Sequence, residues 1–163
     1  MRLSDYLHST VLLLAATSLV LELTAAIGFA NESSAGQLVF TAAWLIVSVA
    51  IGLWMGRNDQ VMESIREIIS RSRPEPIFPK IEPAAVLFSR LWPVLLTALV
   101  CAFASLALPT VAGVAGGYGL MWALAWRKQA GAVEAIEDRD AVHFWIVRSS
   151  PFRPMKVVRV PAM

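Results

Sequence analysis

Glu22 is the residue whose type and position in this chain most suggest chemistry: a carboxylate inside an apolar run from about Leu7 to Ala30. A charged group at such a depth in hydrocarbon costs about 2.5–3.5 kcal/mol on insertion scales. It is therefore expected to face protein or water rather than lipid. Ser18 and Ala26 lie one helical turn away, and Ala15 and Ala25 share that side. This small-residue stripe suits close helix contact and turns Glu22 inward. At about 1.5 Å per residue, Trp44, Thr97 and Tyr118 on later apolar runs come to a similar depth, so they are its expected hydrogen-bond donors. Arg90 falls roughly 13 Å away by the same measure, too far to pair. The intramembrane polar site has two readings: a neutral or hydrogen-bonded carboxyl that fixes helix registration, or a proton or cation site or subunit contact.

Glycine spacing is the second signal. Gly113 and Gly117 form one GxxxG pair, while Gly52 and Gly56, extended upstream by Ser48, form another. Such pairs let helix backbones approach closely, within one bundle or between subunits. Trp54, Trp122 and Trp126 read as interfacial anchors. Cys101 is the single cysteine, and His8 and His143 stand apart from one another, so no metal site is expected. The sequence has no nucleophile elbow, phosphate-cradling Gly-Lys loop, HExxH or cysteine pair. No catalytic residue and no cofactor is expected.

The elements that must position these residues follow from hydropathy. Of 163 residues, 57% are hydrophobic and only 16% charged, too few solvating side chains for an ordinary soluble domain. A helix needs about 20 apolar residues to cross a hydrocarbon core of roughly 30 Å. Four runs meet or approach that length, at about 7–30, 37–56, 84–108 and 109–126. The first is too long, and too poor in basic residues at its start, for a cleaved secretory leader. Basic residues set the direction. Arg57, Arg66, Arg71, Arg73 and Lys80 lie in the 57–83 connector, and Arg127, Lys128, Arg139, Arg148, Arg153, Lys156 and Arg159 follow the fourth run. The two other connectors carry no Lys or Arg. Both termini and the long connector are therefore placed in the cytoplasm.

Val61, Met62, Ile65, Ile68 and Ile69 recur at helical spacing in the connector, giving an amphipathic helix that starts near Asn58 or Asp59 and stops at Pro74. Pro74, Pro76, Pro79 and Pro83 make the stretch that follows an extended one. In the tail, Val142, Phe144 and Ile146 alternate with His143, Trp145 and Val147, a strand pattern. Val133–Ile136 is expected to pair with this strand across Glu137–Asp140, with Lys156–Val160 as a third strand. So small a sheet is marginal alone in water and needs a surface to lie against.

The expected fold is an all-α membrane protein: a four-transmembrane-helix bundle with both termini inside, a cytoplasmic amphipathic helix between spans two and three, and a small C-terminal β-hairpin or meander. Residues 1–130 form the membrane domain and 131–163 a cytoplasmic β-rich tail. The expected function is a non-enzymatic cell-membrane subunit or scaffold that docks a larger assembly, or a second copy of itself, through its cytoplasmic face. Val61, Ile65, Ile68, Ile69, Phe144 and Trp145 would form that face. The alternative is a small proton- or cation-coupled transporter using Glu22. Lipid is the expected partner of the basic residues; nucleic acid is not.

Overall fold

The computed structural model describes residues 1–31, 35–57, 73–74, 83–146 and 157–161. The expected amphipathic helix with Val61, Ile65, Ile68 and Ile69, most of the proline-rich stretch, and the Ser149–Pro151 turn lie outside the described residues. Five helices and three strands are described: α1 (Leu3–Asn31), α2 (Ala35–Met55), β1 (Arg73–Pro74), α3 (Pro83–Ala104), α4 (Pro109–Trp126), α5 (Gln129–Asp140), β2 (Val142–Ile146) and β3 (Val157–Pro161). α3 and α4 both open on proline, whose fixed φ and missing N–H suit a first helical residue. Three stretches are long and apolar enough to cross a membrane: Leu3–Ala30, Ala35–Met55 and Ala85–Ala104. α4 occupies the 109–126 stretch expected as a fourth span, and its 18 residues include Gly113, Gly116, Gly117 and Gly119.

Contacts divide the chain into two compact units. The first comprises 1–10, 57–92 and 126–163. Its core gathers Leu3, Tyr6 and Leu7 from the start of α1, Val86 from α3, Val133 and Ile136 from α5, and Val142, Phe144 and Ile146 from β2. The three-stranded sheet has the order β1-β3-β2. β3 runs antiparallel to β2, with Val142 opposite Pro161 and Ile146 opposite Val157. It runs parallel to the two-residue β1, with Arg73 opposite Val158. As the middle strand it is paired along both edges, and Val157, Val158 and Val160 are all buried. The free edge of β2 is partly capped by the N-terminus: Ile146 donates its N–H to the Met1 carbonyl at 3.0 Å, and Arg2 bridges Trp145.

Residues 129–140, whose 133–136 portion is expected as a strand, are helical instead. Val133 and Ile136 are three apart and both buried, a helical spacing. Alanine and glutamate, good helix formers, fill the positions around them. Glu137–Asp140 is the last turn of this helix rather than a hairpin turn. Ala141 ends it in the left-handed region (φ 49°, ψ 47°) and donates its N–H to the Glu137 carbonyl. The hairpin partner of β2 is therefore β3.

The second unit comprises 11–56 and 93–125. Leu21 and Ala25 of α1 meet Ala112 of α4, with Ala98, Cys101 and Ala102 of α3 packed beside them. Leu19, Ile46 and Phe103 point away from the protein at 65%, 71% and 66% exposure. An aqueous surface does not normally carry so continuous an apolar coat, and acyl chains solvate it without penalty. α3 ends at Ala104, and Ser105–Ala107 form the turn into α4.

Candidate functional site

The second unit is organised on α4, whose lack of side-chain bulk brings two neighbours in. Along α2 and just past its end, Thr41, Ser48, Gly52 and Gly56 recur at seven- and four-residue spacing and are all buried. A Cβ at Gly113 would collide with Thr41 Cγ2. At Gly117 it would sit 2.9 Å from the Trp44 ring and 3.1 Å from Ser48 Oγ. At Gly52 it would come 2.6 Å from the Met121 carbonyl oxygen, and at Gly56 2.7 Å from that of Leu124. Both GxxxG pairs are thus spent on contact between α2 and α4 of one chain. The two helices run parallel, and Thr110 Oγ1 donates to Gln37 Oε1 at 3.4 Å near their starts.

α1 crosses the adjacent side of α4 in the opposite sense. Gly28 meets Pro109, Ala25 meets Gly113, and Ser18 meets Gly119. Between them Glu22 lies against Gly116, where a Cβ would be 2.8 Å from its Oε1. The carboxylate thus faces the glycine wall of α4. Its Oε1 is buried and has no hydrogen-bond partner among the described residues.

None of the expected donors reaches that oxygen. Trp44 gives its indole N–H to the Val114 carbonyl at 3.0 Å. Thr97 sits on an exposed face and donates to the Pro93 carbonyl at 2.8 Å. Tyr118 is half-exposed and packs edge-on to Trp122, ring centroids 6.2 Å apart. Trp44 lies against Gly117, the residue next to the Gly116 that meets Glu22. The atoms that join Glu22 as buried oxygens without a partner are Thr41 Oγ1 and Ser48 Oγ. Their signal in the sequence was the continuation of the Ser48–Gly52–Gly56 stripe upstream to Thr41.

The first unit corrects the expected interaction face. Phe144 is 1% exposed and belongs to the core. Strand alternation sends Val142, Phe144 and Ile146 inward together, and Trp145 to the other face. Sequence reading also missed Glu137, a carboxylate 4% exposed at the junction of α5 and β2. The Phe144 N–H donates to Glu137 Oε1 at 2.8 Å, and His143 Nδ1 lies 3.5 Å from Oε2. This carboxylate bonds the new strand back to the helix that precedes it. On the outside of α5, Arg139 pairs with Asp140 at 2.8 Å, and its hydrogen bond holds the Asp140 carboxyl below the usual carboxylate range. So exposed a pair is screened by solvent. Cys101 is a free thiol packed among alanines.

Compared with known protein families, curated proteins and solved structures, the chain matches none.

Proposed function

We propose that this chain is a non-enzymatic integral membrane subunit or scaffold. It crosses the cell membrane four times, with α4 as the fourth span and both termini in the cytoplasm. Its cytoplasmic face docks a larger membrane assembly or a second copy of itself. The observation that carries this reading is the first unit, which has a core of its own built from the N-terminus, the start of α3 and the tail. Those are the segments that adjoin or carry the basic residues. The connectors on the other side are three or four residues long between helix ends, too short to bind much. With Phe144 inside, the face offered to a partner is the outer side of α5, where Glu134, Asp138 and Arg139 are exposed.

Mild solubilisation followed by native mass measurement tests the reading. The expected result is a complex heavier than one chain, containing other membrane proteins or further copies. A monodisperse monomer with nothing bound overturns it. Orientation is tested separately by thiol labelling in intact cells, with Cys101 replaced and single cysteines introduced at Gly36 and Gly131. Labelling from outside is expected at position 36 and not at 131.

A further inference from the structure

α1 and α3 each serve two cores. In α3, Val86 lies in the core of the first unit with Leu87 packed against it, whereas Ala98, Cys101 and Ala102 pack on the core of the second. In α1 the same division separates Leu3, Tyr6 and Leu7 from Leu21 and Ala25. The boundary between the units falls between Thr10 and Val11 in α1, and between Trp92 and Pro93 in α3. The other two crossings lie at helix ends, Gly56–Arg57 just past α2 and Ala125–Trp126 at the close of α4. A helix that runs unbroken through a boundary ties the two sides together. The stiffness of α1 and α3 therefore sets how far the units move independently.

The two helices differ in that respect. From Leu3 to Ile27, α1 contains neither proline nor glycine, so its backbone ladder crosses the boundary whole. α3 carries Pro93 inside the helix, at the boundary itself. Proline has no N–H, so the Ser89 carbonyl loses the donor that residue 93 would supply, and the ring presses on that carbonyl. Hydroxyl bonds on either side add to the break. Ser89 Oγ donates to the Val86 carbonyl at 2.9 Å, and Thr97 Oγ1 donates to the Pro93 carbonyl at 2.8 Å. Hydroxyls bonded back onto helix carbonyls favour bending, and proline is the commonest cause of a sharp kink. Ser89, Pro93 and Thr97 follow one another at four-residue spacing, along one side of α3. We propose that α3 is hinged at Pro93, and that bending there is the motion by which the first unit moves relative to the second, with the continuous α1 as pivot. The inference is independent of the docking role.

The test is double electron–electron resonance on the full chain in nanodiscs, with Cys101 replaced and spin labels on cysteines introduced in pairs. One pair joins Gly131 of the first unit to Gly36 of the second. A Cβ at either position meets nothing within 4 Å, so the labels leave the packing alone. A reference pair, Gly36 and the exposed Leu53, lies within α2, about 25 Å apart at 1.5 Å per residue. Its width reports the labels themselves. The distance distribution between positions 36 and 131 is expected to be broader than that between 36 and 53. Pro93→Ala returns an N–H to the Ser89 carbonyl. It is expected to narrow the first distribution toward the reference width and to leave the reference pair unchanged. A first distribution as narrow as the reference, with Pro93 in place, overturns the proposal and needs no change in α3. One that stays equally broad in Pro93→Ala also overturns it.

Discussion

Ala141 holds a left-handed backbone conformation that glycine adopts freely and alanine does not. Ala141→Gly is therefore expected to raise the unfolding midpoint of the first unit, by up to about 1 kcal/mol. A fall in midpoint, followed by protease sensitivity of the tail, would show that the loss of unfolded-state restriction dominates. Phe144 supplies the opposite case. Truncating a fully buried aromatic costs about 3–5 kcal/mol, so Phe144→Ala is expected to open the sheet to protease while the membrane helices stay folded. Equal protection in variant and parent would mean that Phe144 does not sit in the core. Glu137 belongs to the same scale. Glu137→Ala leaves the Phe144 N–H without its acceptor, with a cost of about 1.5–3 kcal/mol for a bond to a charged group, read in the same digestion.

At the scale of elements, the glycines separate into two classes that the sequence does not distinguish. A Cβ at Gly52 would press on the backbone of Met121, which has no flexible side chain to yield, whereas at Gly131 it meets nothing within 4 Å. Gly52→Ala is therefore expected to weaken the α2–α4 contact and lower the unfolding midpoint in detergent. Gly131→Ala, in the exposed first turn of α5, is expected to stabilise by about 0.5–1 kcal/mol through helix propensity. Matching shifts of one sign in both variants would contradict the packing described here. The helical runs were legible in the sequence because apolar length reports on local physics, although α1 starts at Leu3 rather than near 7 and α3 ends at Ala104 rather than near 108. α5 was not, since Val133 and Ile136 read as strand in a window too short to separate a period of two from one of 3.6.

At the scale of the whole molecule, the first unit is assembled from distant parts of the chain. α1 is 29 residues long, about 44 Å at 1.5 Å per residue, so it extends beyond a hydrocarbon core of roughly 30 Å. Its first turns carry Leu3, Tyr6 and Leu7 into a core shared with the tail. Leu3→Ala is expected to destabilise the tail by about 2–5 kcal/mol, seen as faster proteolysis after Asp140 although the substitution lies more than a hundred residues away. A tail as resistant as the parent's would show that it folds without the N-terminus.

The residue order by itself determined which stretches avoid water, where prolines and glycines punctuate them, and that Glu22 must turn from lipid, because each of these depends on the transfer energy or backbone freedom of residues close together in the chain. Tertiary packing decided the rest. It set Gly116 rather than Trp44, Thr97 or Tyr118 against the carboxylate, spent both glycine pairs between α2 and α4, and put Phe144 inside. Which side chains meet across helices depends on the rotation and register of each helix about its neighbours, a long-range outcome that depth along a single helix does not encode.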